Sequence, residues 1–387
     1  MKLTLAFLTS ALLLAWHHSL PAAPDSACRG SLISKTFSSG ALWDICWTID
    51  DNEGLTVSQV YFQAPGATYR RVLGAASLSQ IQAVFDDGAI DPVFINTDIG
   101  LGGDNAQALD QQACRNGKLH AENGRNVLCA RTLPKGYLYK YNSQRQTEAF
   151  ELSSYSQIGP RNYQLRWTFY ENGAIEPAIA LSGILPAVGQ SNTEHGWPVT
   201  QDGEIGTGFT DHYLWRLDFD LGSDSGNDAV QEISSIPTTN RLKKQKTIDT
   251  LQLETGKQLN PDHKTFWRII DTAISQPEIG AISYEIVPSH YDQSRANSLN
   301  QSWLENDLYF TRYKDCERYA VDNLADSCGE NVTDFVADQQ PIDQADVVAW
   351  YKLSNHYLPR SEDSNRIATR WSSFQLFPRD WNVSNPY

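Results

Sequence analysis

Short runs of alternating or aromatic-rich residues, separated by turn-forming residues, recur along this chain. Residues 55–62 alternate apolar and polar side chains, and residues 163–169 are rich in aromatic side chains. Residues 213–219, 281–287 and 307–313 have the same character, and Gly, Pro, Asn or Asp bounds each run. This pattern is typical of strands joined by turns. The sequence therefore predicts an all-β fold.

Helical patterns are few and short in this chain. The clearest predicts a helix over residues 77–84, and a less distinct pattern predicts another over residues 261–275. Residues 222–262 are polar and predict extended loops or an exposed hairpin. Because no break in composition and no internal repeat divides the chain, we expect residues 25–387 to form one large antiparallel β-sandwich with few short helices.

The amino terminus has the pattern of a secretion signal. Lys2 is followed by an apolar run over residues 3–16 and then by small residues around Ala22 and Ala23. The run is too short to span a bilayer, and no later segment is long and apolar enough to do so. We therefore expect a cleaved signal peptide over residues 1–24, no membrane span, and a secreted or periplasmic protein.

All the cysteines lie in the part of the chain that would be exported. They fall into three pairs of sequence neighbours: Cys28 with Cys46, Cys114 with Cys129, and Cys316 with Cys328. An even number in an exported protein favours disulfides, and the absence of a C-x-x-C spacing argues against a zinc or redox motif. Pairing of neighbours is one of several arrangements, so the sequence leaves the connectivity open.

The chain is strongly acidic, with a formal net charge of −15 at pH 7. Nucleic acids and anionic membranes need a cationic surface, so this charge argues against both as partners. The small basic cluster of Lys243, Lys244 and Lys246 is interpreted as a solvated face rather than a binding patch. The sequence contains no nucleotide-binding loop, nucleophile elbow or zinc-protease motif.

One segment resembles a known active site. Residues 157–167 read Gln-Ile-Gly-Pro-Arg-Asn-Tyr-Gln-Leu-Arg-Trp, and Asn172-Gly173 follows. The segment resembles the active-site strand of the copper amine oxidases, T-I/V-G-N-Y-D/E-Y-x-x-x-W, which is followed by D/N-G-T-I. The ungapped match places Pro160 at the family's asparagine and Arg161 at the tyrosine that becomes the topaquinone cofactor. Arginine cannot be oxidised to a quinone.

Further segments resemble the same family and occur in its order along the chain. They are residues 54–61, 69–73, 76–81, 98–100, 216–220, 346–351 and 359–363, with Cys114 and Cys129 at the family's usual disulfide. The match covers residues 43–386 and only the catalytic domain, and we expect no counterpart of the smaller domains that precede it in longer members. The resemblance implies the large β super-sandwich of that domain and a homodimer.

The resemblance also assigns the family's chemistry to positions in this chain. In the family, copper held by three histidines oxidises the tyrosine to the quinone, which forms a Schiff base with a primary amine. An aspartate then removes the α-proton, and aldehyde, ammonia and hydrogen peroxide are released. The three copper positions here carry Phe209, Asp211 and Tyr357. Phe85 stands at the tyrosine that bonds the quinone oxygen, and Asn96 stands at the gate tyrosine. We therefore expect neither copper nor topaquinone.

Two parts of the family's site are retained. Asp98 stands at the position of the catalytic base, although a lone carboxylate is more often structural. Asp218, Asp220 and Asp346 stand at the carboxylate ligands of the family's peripheral calcium site. Because hard oxygen ligands from distant segments suit Ca²⁺, the resemblance implies a structural calcium that ties these segments together.

Two readings of the function concern the family's own reaction. The first is a non-catalytic relative that acts in binding or scaffolding, with a ligand that the sequence does not identify. The second is an active amine oxidase in which a register slip makes Tyr163 the cofactor precursor and His212, His356 and His195 hold copper. A one-residue shift in a strand turns a side chain to the opposite face, so the first reading is favoured.

A third reading is a changed enzyme that works on another substrate in the same pocket. It would use Asp98, Arg161 and Asp211. Arg161 beside Asp98 would form either an ion pair or a site for an anionic ligand, and a structural ion pair is favoured.

Overall fold

A computed structural model describes residues 27–88, 91–185, 193–200, 202–222, 224–240, 242–276, 279–288, 301–382 and 384–387. The expected signal peptide, residues 1–24, lies outside these ranges. In the described ranges, no helix combines the length and the apolar character that crossing a bilayer requires.

Strands dominate the described residues, and helices are short. The strands are β1 (Ser31–Thr36), β2 (Leu42–Asp50), β3 (Gly54–Gln63), β4 (Arg70–Phe85), β5 (Val93–Phe94), β6 (Lys118–Glu122), β7 (Arg125–Lys140), β8 (Gln144–Ile158), β9 (Arg161–Tyr170), β10 (Ile175–Ile184), β11 (Gly196–Pro198), β12 (Ile205–Thr207), β13 (Phe209–Gly222), β14 (Asp228–Pro237), β15 (Lys244–Thr250), β16 (Thr255–Lys257), β17 (Phe266–Gln276), β18 (Gly280–Pro288), β19 (Leu308–Arg312), β20 (Asp343–Ala345), β21 (Val347–Tyr357) and β22 (Arg366–Arg379). The α-helix α1 is Val332–Phe335; a π-helical turn spans Ile95–Ile99, and 3-10 turns span Gly103–Asn105, Thr193–His195, Ser225–Asn227, Ser302–Leu304, Asp326–Cys328 and Ser361–Asp363.

The strands form two large antiparallel sheets. The first sheet has the order β1-β2-β3-β4-β13-β21-β19-β16, with β5 paired to β4. The second has the order β15-β14-β17-β18-β22-β10-β9-β8-β7-β6, with β20 paired to β14. A small third sheet consists of β11 and β12. Strands β13 and β9 lie inside their sheets, so residues on their inner faces meet in the core.

Aromatic side chains from the two large sheets pack face to face. Trp215 of β13 meets Trp167 of β9 edge-on with ring centroids 5.4 Å apart. Trp43 of β2 packs against Phe169 of β9, with ring centroids 5.2 Å apart. These side chains belong to one continuous core cluster that runs between the sheets. Two antiparallel sheets that enclose a shared apolar core make a β-sandwich, so the predicted all-β, antiparallel sandwich with few short helices is confirmed.

The two predicted helices are wrong, because both segments are strands. Residues 77–84 lie in β4, which is buried along most of its length between β3 and β13. Residues 266–275 lie in β17, between β14 and β18. Because β4 is buried on both faces, it loses the alternation of apolar and polar residues, and its spacing then resembles that of a helix.

Residues 222–262 contain a hairpin as predicted, but only β15 is exposed, because β14 lies inside the second sheet. Strands β14 and β15 pair antiparallel within residues 222–262, and Lys244 and Lys246 are exposed. The cysteines pair as sequence neighbours, an arrangement that the sequence left open. The disulfides join Cys28 to Cys46, Cys114 to Cys129 and Cys316 to Cys328.

Candidate functional site

The residues that the resemblance places at the cofactor and copper positions lie together between the two sheets. Phe209 at the start of β13 is directly opposite Tyr357 on β21 and Phe85 on β4. Arg161 at the start of β9 reaches this row from the second sheet, with its guanidinium carbon 4.3 Å from the Phe209 ring centroid. We call the group the Arg161 cluster; it consists of Phe85, Arg161, Tyr163, Phe209, Asp211, Tyr213 and Tyr357.

A buried ion pair is the centre of the Arg161 cluster. Arg161 Nη1 donates to Asp211 Oδ1 at 2.9 Å, and the two side chains are 7% and 0% exposed. Arg161 also donates to the Tyr163 hydroxyl at 3.2 Å, and the Tyr213 hydroxyl donates to Asp211 Oδ2 at 3.3 Å. A charge is stable away from water only when it is paired and hydrogen-bonded, and both conditions are met here.

Aromatic rings enclose the ion pair. The Arg161 guanidinium lies over the rings of both Phe209 and Phe85. Its central carbon is 5.1 Å from the Phe85 ring centroid. Phe209 in turn stacks on Tyr357 with centroids 5.4 Å apart. A cation over an aromatic face is attracted by the ring quadrupole, most strongly where water is absent. The rings therefore both stabilise the guanidinium and exclude solvent from the pair.

The protonation states follow from burial and from the partner charges. Burial by itself lowers the pKa of Arg161, but the charge of Asp211, the interaction with Tyr163 and the hydrogen bonds to both together outweigh burial and hold the pKa above its ordinary value. Burial, and then the Asp211 charge, raise the pKa of the Tyr163 hydroxyl. Arg161 is therefore cationic and Tyr163 neutral at physiological pH.

The side chains at the copper positions do not fit copper or a quinone. Phe209 carries no ligand atom, and Asp211 is held by Arg161. The Tyr357 hydroxyl donates to Asp363 Oδ2 at 2.5 Å. Copper(II) sites favour imidazole and similar nitrogen donors, and none of these residues supplies one.

The structure does not bring the alternative histidines together with Tyr163. His212 lies on the outer face of the first sheet, where Nδ1 is 2.8 Å from Ser354 Oγ and the ring meets Trp303 edge-on. Burial, and then the charge of Lys352, lower its pKa to about 3. Its neighbour Asp211 faces the core, as strand alternation requires.

The other two histidines are at the surface. His356 Nε2 lies 2.9 Å from Asp86 Oδ2, with the His356 side chain 48% exposed. His195 is exposed in the turn Thr193–His195. Among the described residues, the group of His, Cys, Asp and Glu side chains close enough to share a metal ion contains no histidine.

Asp98 is separate from the Arg161 cluster in its contacts. It lies exposed in the π-helical turn Ile95–Ile99, and its Oδ2 accepts the backbone NH of Phe94 at 3.1 Å. Asn96, at the gate position, is buried and bonds the backbone of Ile81 and Leu78. The expected ion pair between Asp98 and Arg161 is wrong, because the cross-sheet partner of Arg161 is Asp211.

Asp218, Asp220 and Asp346 converge on one point, and we call them the tri-aspartate. Asp218 and Asp220 project from the same face of β13, and Asp346 lies between β20 and β21. One carboxylate oxygen from each lies within 4.8 Å of the others, and each residue has a buried oxygen without a hydrogen-bond partner. A Cβ on Gly74 would lie 2.3 Å from Asp220 Oδ2, so glycine leaves the space beside this carboxylate open.

The charge of the tri-aspartate is only partly balanced by protein. Arg71 Nη2 lies 3.2 Å from Asp220 Oδ2. Burial nevertheless raises the pKa of Asp220 to about 7, against the charge of Arg71, and raises the pKa of Asp218 further. Several hard oxygen donors with surplus negative charge fit a cation of the Ca²⁺ class.

Sequence reasoning missed Tyr213 and the pairing of Arg161 with Asp211. Tyr213 is two residues after Asp211, so strand alternation already places both side chains on one face. The pairing joins strands of different sheets, and no local sequence signal reports such a contact.

Comparisons with known proteins agree with this architecture. A profile of the copper amine oxidase enzyme domain matches residues 39–387. The primary amine oxidase of Arthrobacter sp. (strain P1) is 23% identical over 386 residues, covering 89% of this chain and 58% of that protein. The copper-containing amine oxidase gamma 1 of Arabidopsis thaliana is 25% identical over 254 residues, covering 59% of this chain and 36% of that protein. The chain thus spans less than two thirds of either relative.

Solved structures share the fold. A copper-containing benzylamine oxidase from Hansenula polymorpha superimposes with a TM-score of 0.77 at 17% identity, over 99% of this chain and 64% of that one. The lysyl oxidase of Pichia pastoris superimposes with a TM-score of 0.74 at 18% identity, over 89% of this chain and 52% of that one. Since the family profile extends over nearly all of the described sandwich, this chain belongs to the copper amine oxidase family.

Proposed function

We propose that this chain is an exported, non-catalytic member of the copper amine oxidase family that acts in binding or scaffolding. The observation that carries the proposal is the buried Arg161–Asp211 ion pair at the positions of the cofactor and copper. The three disulfides support export, because disulfides persist in oxidising compartments.

The ion pair argues against oxidase activity on energetic grounds. Removing one partner of a buried ion pair costs about 3–5 kcal/mol, because the other charge is left uncompensated. Copper at Asp211 would have to compete with the Arg161 guanidinium, and Phe209 would give it no second ligand. The Arg161 cluster, in which Arg161 Nη1 is paired and only Nη2 is left without a partner, therefore supports a structural network rather than a reactive centre.

We also propose that the tri-aspartate holds a structural calcium ion. Three convergent carboxylates with unpartnered buried oxygens support this assignment. The ion would join β13 to the crossing between β20 and β21. The homodimer implied by the family resemblance stays a prediction, which light scattering on the purified protein would test.

The oxidase question is tested by metal analysis and by quinone chemistry on the protein purified from culture medium. Copper per chain, the absorbance of a phenylhydrazine adduct, and peroxide released from a panel of primary amines are measured. The Arthrobacter relative, prepared in parallel, is the positive control. We expect no stoichiometric copper, no adduct and no peroxide. Stoichiometric copper with an adduct would show an active oxidase and refute the proposal.

A further inference from the structure

A second group of buried oxygen atoms lies where the chain crosses from the first sheet to the second. The strand β13 ends at Gly222, the turn Ser225–Asn227 follows, and β14 begins at Asp228 in the second sheet. Asp228 lies directly opposite Asp271 on β17. Residues directly opposite in an antiparallel pair point to the same face, so the two carboxylates are neighbours.

Both carboxylates are fully buried and incompletely satisfied. Asp228 and Asp271 are each 0% exposed. Asp228 Oδ2 accepts the Leu221 NH at 3.3 Å, whereas Asp228 Oδ1 has no partner. Asp271 Oδ1 accepts the backbone NH groups of Ala273 and Ile274, whereas Asp271 Oδ2 has no partner. Like charges directly opposite are destabilising unless something neutralises them.

A third unpartnered oxygen belongs to Asn227, in the turn that precedes Asp228. The Asn227 side-chain nitrogen donates to Asp271 Oδ1 at 3.2 Å, which places the amide against that carboxylate. The amide oxygen Oδ1 of Asn227 is buried and also has no partner. A Cβ on Gly222 would lie 2.4 Å from Asp271 Oδ2, so glycine keeps the space beside that oxygen open.

The surrounding charge favours a cation over a further acidic group. Neither Asp228 nor Asp271 forms an ion pair with a Lys, Arg or His among the described residues, although the charge of Arg70 acts on Asp271 from a greater distance and offsets part of its charge. The carboxylates of Asp220 and Asp346 add further negative charge near Asp228. Two buried carboxylate oxygens and an amide oxygen are ligands that Ca²⁺ prefers.

We infer that Asn227, Asp228 and Asp271 form a second cation site, for a hard divalent ion of the Ca²⁺ class, beside the tri-aspartate. The ion would join the start of β14 to β17 and fix the turn by which the chain passes between the sheets. This site is separate in its ligands from the tri-aspartate, although the two share one acidic region.

Calcium stoichiometry tests the inference. The full chain is stripped with chelator and titrated with CaCl₂ by calorimetry, and bound calcium is counted by native mass spectrometry. We compare the unaltered protein with Asp228→Asn/Asp271→Asn, with Asp218→Asn/Asp346→Asn, and with the control Asp249→Asn/Asp262→Asn, which removes two exposed carboxylates. We expect two ions in the unaltered protein and the control, and one ion in each of the other variants.

The single variant Asn227→Ala removes no charged group. It therefore still tests the second site if one of the double variants fails to fold. We expect it to weaken one of the two calcium affinities by roughly tenfold and to leave the other unchanged. One ion that only Asp228→Asn/Asp271→Asn abolishes would support the second site and refute calcium at the tri-aspartate. One ion that only Asp218→Asn/Asp346→Asn abolishes, with no effect of Asn227→Ala, would overturn the second site. No bound ion would overturn both.

Discussion

At the scale of single residues, the arginine at position 161 decides what chemistry the site can carry out. A tyrosine at position 161 would be a cofactor precursor, whereas Arg161 brings a permanent charge into the core. That charge requires a buried anion, and Asp211 supplies it at 2.9 Å. Position counting within a recognised family could predict that Arg161, Phe209, Asp211 and Tyr357 are neighbours. It could not predict which carboxylate Arg161 selects, because Asp98 is equally eligible in the sequence.

The Arg161–Asp211 pair makes a prediction for stability. Asp211→Ala leaves Arg161 buried and unpaired, and we expect a loss of about 3–5 kcal/mol in the free energy of unfolding. In Arg161→Met/Asp211→Leu both charges are replaced by apolar groups of similar size, and most of the lost stability should return. Equilibrium denaturation in urea measures all variants.

The matched control for this prediction is the exposed pair of His356 with Asp86. His356→Gln should change the free energy of unfolding by less than about 1 kcal/mol, because water screens the interaction. An Asp211→Ala variant as stable as His356→Gln would contradict the account of a buried, mutually dependent pair.

At the scale of strands and turns, the sequence predicts a strand well where one face of that strand is exposed to solvent. Alternation identifies residues 55–62 because more polar and more apolar residues mark the two faces, whereas β4 is buried on both faces and has a helix-like spacing. Turns are signalled by residue chemistry. Gly173, in the turn between β9 and β10, has φ +92° and accepts the Tyr284 hydroxyl at its carbonyl.

The Gly173 turn makes a prediction that separates backbone strain from packing. An alanine Cβ at Gly173 would lie 2.6 Å from the Phe62 ring, so Gly173→Ala combines left-handed strain with a clash. We expect it to cost about 2–4 kcal/mol. Gly124, in the turn between β6 and β7, has φ +79°, and a Cβ there would meet no other atom within 4 Å, so Gly124→Ala should cost only about 1–2 kcal/mol. Equal losses in thermal or urea unfolding would show that the Phe62 contact is unimportant.

At the scale of the whole molecule, the acidic residues concentrate where the chain passes between the two sheets. Asp346 lies between β20 of the second sheet and β21 of the first, and Asp228 begins β14 just after the chain leaves β13. A sandwich is held mainly by its apolar core, and crossings at its edge gain little from that core. Cations at these crossings would therefore stabilise the places where the two sheets are joined by chain. The acidic character is evident from the sequence, but its convergence depends on strand order, which the sequence does not report.

Removal of calcium should thus lower the stability of the whole sandwich. An ion that binds only the folded chain adds about 2.7 kcal/mol at 100 times its Kd, which for a chain of this size corresponds to about 3–4 °C in Tm for each ion. We expect calorimetric scans in excess CaCl₂ to show a Tm higher by at least about 5 °C than scans in EDTA. Asp218→Asn/Asp346→Asn should retain only part of this difference, since the site at Asn227, Asp228 and Asp271 would still bind. A Tm that does not respond to calcium in the unaltered protein would show that neither acidic group holds an ion that matters for folding.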